Sequence, residues 1–97
     1  MIVMTKAKVD VEYFSKREKE YEDWCKEHVD GYVFNHAGGK TGNVLHKVGC
    51  WHLTVPARIG TYTTRYPKYC SDDLTAISEK ADEKSKPYDW RRCKACP

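Results

Sequence analysis

The sequence predicts a small α+β domain, and three local patterns carry that prediction. These are an apolar alternation followed by a capped helix, a glycine-rich hairpin in the middle, and a second capped helix before the C-terminal segment. Val9, Val11 and Tyr13 alternate with polar neighbours, which predicts a short strand with those three side chains on its inner face. Ser15-Lys16-Arg17-Glu18 has the S-x-x-E form of a capping box, in which the serine hydroxyl and the glutamate each satisfy a backbone N–H at a helix start. Tyr21, Trp24, Cys25 and His28 then share one helical face, and Asp30-Gly31 is expected to stop the helix, with glycine in the left-handed cap.

GYVFN reads as a strand, HAGGKTGN as a turn and VLHKVG as the returning strand of a β-hairpin. The turn contains GGKT, but a phosphate-binding loop needs a glycine where Phe34 stands, and no helix follows. It is a turn whose Lys40 is free to touch a partner. The stretch TVPARIGTYTTRYPKY holds two prolines and no fixed apolar period, so it reads as an ordered loop with one short strand at most. Ser71 is the expected N-cap of the second helix, with Asp72 and Asp73 against the positive end of its dipole. Leu74, Ile77 and Ala81 form its apolar stripe, and Pro87 ends it.

A 97-residue chain is a single domain, residues 1–97, whose core is marginal without a staple. Disulfides fit poorly, because the five cysteines are an odd number and the N-terminal MIVMTKAKVD lacks the apolar run of a secretory signal. With a mean hydropathy of −0.78 the expectation is a soluble, cytoplasmic protein that does not enter a membrane. The chemistry points instead to a metal. Cys93 and Cys96 form C-x2-C, the spacing of a zinc knuckle, and His46 and Cys50 supply the other half of the site. The set His46, Cys50, Cys93 and Cys96 is soft enough to favour Zn2+ over calcium or magnesium. Cys70 or His52 is the alternative to His46 as fourth ligand. A redox pair is the competing reading of C-x2-C, but that motif belongs at the start of a helix after a strand. Cys25 is expected in the core, and Cys70 is expected to pack against Leu74.

Charge is distributed unevenly. Residues 10–30 carry eight acids against four bases, whereas residues 31–71 carry no acid and five bases. This predicts a nucleic-acid-binding module in which Lys40, Lys47, Arg58, Arg65, Lys68, Arg91, Arg92 and Lys94 meet phosphates while Trp51, Tyr62 or Tyr66 stacks on exposed bases or ribose. The formal net charge of +3 is modest for such a role, so a protein-interaction or regulatory module, such as an inhibitor or adaptor, is the alternative. A zinc enzyme is disfavoured: four good ligands close the coordination sphere, and no Glu or Asp lies within 15 residues of HKVGC on either side. His36 and His52 are the nearby acid–base candidates.

The segments LHKVGC, YCSD and RRCKACP, with residues 10–35 before them, resemble a small H-x3-C…C-x2-C zinc domain of uncharacterised bacterial and archaeal proteins, some of which carry restriction-type nuclease domains. The resemblance spans nearly the whole chain and implies a role in prokaryotic or phage defence. The metal motif alone also bears a distant likeness to the N-terminal zinc domain of the Ada DNA-repair protein, which uses a zinc-bound cysteine to accept a methyl group from DNA. The position matching that acceptor here is His46, which has no thiolate, so the likeness implies no methyl transfer by this chain.

Overall fold

The computed structural model describes residues 11–53, 60, 62–94 and 96. Within them β1 (Glu12–Phe14), α1 (Glu18–Glu27), β2 (Tyr32–His36), β3 (Asn43–Lys47), α2 (Tyr62–Arg65), β4 (Lys68–Ser71), α3 (Leu74–Ser85) and β5 (Arg91–Arg92) follow in order. The fold is α+β, with a five-stranded mixed sheet in the order β1-β4-β2-β3-β5. The first three pairings along that order are antiparallel, and β3 pairs with β5 in parallel.

Side-chain alternation along β2 divides the core between the two faces of the sheet. Val33 packs with Phe14, Tyr21, Trp24, Cys50, Leu53 and Cys70 under α1, and Phe34 packs with Leu45, Ile77 and Ala81 under α3. Register carries the first face toward the metal-binding candidates, since Val33 lies opposite both His46 and Cys70.

The hairpin forms as expected and is tied by Asn43, a buried side chain. Its Oδ1 accepts from the Gly38 N–H at 3.2 Å and its Nδ2 donates to the Gly39 carbonyl at 3.0 Å. Several other expectations are corrected. The stretch after the hairpin does hold one short strand, β4, flanked by β1 on one side and β2 on the other, but the one-turn α2 precedes it. There are therefore three helices among the described residues rather than two. β1 is an edge strand with apolar groups on both faces, so Phe14 is buried toward α1 while Tyr13 stays half exposed against Tyr69. Val9 lies outside the described residues.

Helix caps also differ. Arg17, not Ser15, is the N-cap of α1 and makes no side-chain cap bond. The Glu18 carboxylate instead accepts from the Tyr62 N–H at 2.6 Å and from the backbone N–H and hydroxyl of Thr63. Thr63 in turn accepts from the Arg17 N–H at 2.9 Å, so the starts of α1 and α2 cap each other. Asp73 rather than Ser71 caps α3, accepting from the Ala76 N–H at 2.9 Å, while the Ser71 hydroxyl accepts from the Asp73 N–H at 3.1 Å. Leu74 is 36% exposed; Ser85 joins Ile77 and Ala81 on the buried stripe, and Cys70 belongs to the α1-side core. Gly31 serves close packing rather than a left-handed cap: a Cβ there would meet the Trp24 ring at 2.7 Å.

Candidate metal centre

Two short segments bring the sequence-predicted ligands together. β3 carries His46, and the turn that follows it delivers Cys50. Gly49 takes φ +89, which glycine adopts without a steric penalty, and the Cys50 N–H donates to the Lys47 carbonyl at 3.1 Å. The parallel pairing of β5 supplies the other half. Val44 and Leu45 lie beside Arg91 and Arg92, so the next step of the register sets Cys93 beside His46. The Cys93 N–H donates to the Leu45 carbonyl at 2.8 Å and holds that step in place. Upstream, the C-terminal segment is pinned by Trp90 Nε1 donating to Asp82 at 2.7 Å and by Arg91 donating to the Thr41 carbonyl at 2.8 Å.

The ligand atoms of His46, Cys50, Cys93 and Cys96 all lie within 4.8 Å of one another, a group that could hold one metal ion. Cys50 Sγ is 3.9 Å from Cys93 Sγ, and Cys96 Sγ is 3.6 Å from His46 Nδ1. Cys50 and Cys96 stand at disulfide distance, with Cα atoms 4.9 Å apart. The same sulfurs are thus placed either for a shared ion or for a covalent bond with each other. Cys50 is fully buried and His46 is 8% exposed, whereas Cys93 and Cys96 are half-buried at the rim. Burial, reinforced by the nearby positive charge of His52, Lys68 and Arg91, lowers the His46 imidazole from 6.5 to about 4, leaving it neutral and able to donate a lone pair.

Of the two alternative fourth ligands, Cys70 falls elsewhere and His52 borders the group. Cys70 is buried in the α1-side core, and burial raises its thiol well above the usual range. Cys25 sits beside that core, with its thiol pushed up by burial to about 11. Such thiols resist the ionisation that metal binding requires. His52 approaches the group through Cys93, with its Nδ1 at 3.6 Å from that sulfur. Sequence spacing marked His52 as a rival ligand but could not place it as Cys93's neighbour, because that contact spans 41 residues.

The predicted nucleic-acid contacts are spread over more than one surface. Lys47 and Arg92 line a cavity of about 60 Å³ with His46, Cys93 and Cys96. Lys94 and Trp51 are exposed beside these cysteines in sequence, whereas the Arg91–Thr41 bond holds Arg91 at the hairpin turn that carries Lys40, at the opposite end of β3 from Cys50. Tyr62 and Arg65 sit on α2, where the Tyr62 and Tyr21 rings are 6.1 Å apart. Lys68 is 6% exposed and donates to Asn35 and the Tyr66 carbonyl, which turns its ammonium inward. Arg58 lies outside the described residues. No helix among the described residues is long and apolar enough to cross a membrane.

Fold and site together define a small α+β domain with a one-histidine, three-cysteine cluster at the C-terminal ends of β3 and β5. No family model, curated protein or solved structure matches the chain.

Proposed function

We propose that this chain is a zinc-stabilised nucleic-acid-binding module. A zinc tetrahedron with Zn–S of about 2.3 Å and Zn–N of about 2.0–2.1 Å has edges of about 3.8 Å between sulfurs and about 3.6 Å between sulfur and nitrogen. The Cys50–Cys93 and Cys96–His46 separations of 3.9 and 3.6 Å match two of these edges, with His46 Nδ1 as the donor, whereas the Cys50 and Cys96 sulfurs, at disulfide distance, must part to accept the ion. In the reducing cytoplasm the thiols remain available to it. The zinc is structural: it ties β5 to β3 and fixes the surface around them.

One observation carries the nucleic-acid reading. The cluster opens beside Arg92 and beside Lys47, which lies in the acid-free residues 31–71. Among the described residues no carboxylate pairs with Lys47, Arg92 or Lys94. Unneutralised cations on a fixed surface attract polyanions, and each phosphate contact releases counterions. Binding of labelled oligonucleotides should therefore weaken steeply between about 50 and 200 mM salt, and charge reversal at Lys47 and Arg92 should abolish it. Salt-insensitive binding, or none, overturns the reading. The resemblance noted above adds a role in prokaryotic or phage defence to this proposal.

A protein-interaction module is the second reading, favoured by an apolar cavity of about 300 Å³ between α1, the Cys50 turn and α2, lined by Tyr21, Cys25, Leu53 and Tyr62 among others. Salt-insensitive capture of a protein partner, lost when Leu53 or Tyr62 is replaced by a charged residue, is the result that selects it.

A further inference from the structure

The turn that delivers Cys50 also presents Trp51. Cys50 and Leu53 point inward, and the Leu53 N–H donates to the Cys50 carbonyl at 2.8 Å. Between them the Trp51 indole is 64% exposed, the most open of the exposed aromatic side chains among the described residues. It is also held. Its ring meets His52 edge-on, with centroids 4.0 Å apart and planes at 87°, and His52 Nδ1 lies 3.6 Å from Cys93 Sγ. A large apolar ring kept largely in water and braced against a neighbour that touches the cluster presents a surface to a flat partner.

The neighbouring charge says which flat partner. Lys47 lies four residues before Trp51 and lines the cluster's cavity with Arg92, while Lys94 follows Cys93. Cations in the segments that flank an exposed aromatic ring suit a base whose neighbouring phosphates are within reach. Bases inside a duplex already stack on both faces, so the indole can reach only bases that are unpaired. We infer that the ligand of this surface is single-stranded nucleic acid, with one base stacked on Trp51 and adjacent phosphates neutralised by Lys47, Arg92 and Lys94. This rests on the nucleic-acid reading above and narrows it.

The test uses the intact zinc-loaded chain and fluorescence anisotropy of labelled 12-nucleotide thymidine and uridine oligomers, beside a 12-base-pair duplex, at low salt. Either single strand should bind at least about tenfold more tightly than the duplex. Trp51→Ala should weaken single-strand binding by about 5- to 100-fold and leave the duplex value unchanged, whereas Trp51→Phe should recover most of the loss. Tyr13→Ala removes another exposed aromatic, on the β1 edge opposite β5, and should change neither. Zinc content and melting temperature of Trp51→Ala are measured alongside, and they should match the parent because the side chain is exposed. Equal binding of single strand and duplex, untouched by Trp51→Ala, overturns the stacking inference while leaving the nucleic-acid reading in place. The same inference falls if Tyr13→Ala costs as much as Trp51→Ala. No binding of any of the three probes removes both.

Discussion

Removing one cluster ligand should cost this domain most of its stability. In Cys93→Ser, a hard hydroxyl replaces a sulfur that stands 3.9 Å from Cys50 Sγ and next to His46 in the sheet register, so a bound ion would lose one of its four ligands. β5 is two residues long and pairs with β3 alone, so an ion held by the cluster would be the main tie for Cys93 and Cys96. An ion present at about 1,000 times its dissociation constant stabilises the folded state by about 4 kcal/mol. For a domain of this size each 1 kcal/mol moves the melting temperature by about 4–8 °C, so the expected fall is about 15–30 °C. The assay is thermal circular dichroism of parent and variant, with and without chelator, and elemental analysis for one zinc per chain. Cys25→Ser is the control, because Cys25 lies outside the group of four and should keep both the metal and nearly all of the stability. A parent that carries no metal and melts at the same temperature with chelator refutes the reasoning. So does a native chain two hydrogens lighter than its sequence, in which three thiols titrate instead of five, because Cys50 and Cys96 would then be bonded to each other.

Four further outcomes follow from the packing. Ile77→Ala, at a fully buried site against Phe34 and Leu45, should destabilise by about 2–5 kcal/mol in urea unfolding, whereas Leu74→Ala at the exposed start of the same helix should stay below about 1 kcal/mol. Thr63→Val keeps the shape but removes the hydroxyl shared by the Glu18 carboxylate and the Arg17 N–H, and should cost about 1–3 kcal/mol by the same measurement. Asp73→Ala deletes the cap of α3 and should cost about 1 kcal/mol, visible as a lower urea midpoint with unchanged slope. The pH dependence should appear on the alkaline side. Burial raises the Cys25 thiol from its ordinary 9.0 to about 11 and raises Cys70 and Tyr21 in the same direction. The unfolded chain therefore releases these protons first, and the stabilisation present below pH 9 is lost as pH rises toward 11 and beyond. Cys25→Ala should flatten that decline, and an unchanged slope speaks against it.

Local chemistry determines much of this protein without any tertiary contact. Glycine and asparagine between two apolar runs specified the hairpin, the period of Tyr21, Trp24 and Cys25 specified a helix with one buried face, and the spacings of His46 with Cys50 and of Cys93 with Cys96 specified the two half-sites. These signals are short-range, so they survive in the sequence as patterns of a few residues. What the fold alone decided is long-range. Lys68–Ser71 carries no strand signature strong enough to stand out beside Pro67, and it is a strand because β1 and β2 offer it partners on both edges. Ser15 and Ser71 are sound local caps, yet Thr63 and Asp73 displaced them because docking α2 against α1 and turning out of β4 offered the backbone better-placed oxygens. The half-sites, 43 residues apart between Cys50 and Cys93, share one position because the parallel β3–β5 register sets it. The same topology turned Lys68 inward and left Trp51 in the solvent, a division that depends on which strands become neighbours and that no window of sequence contains.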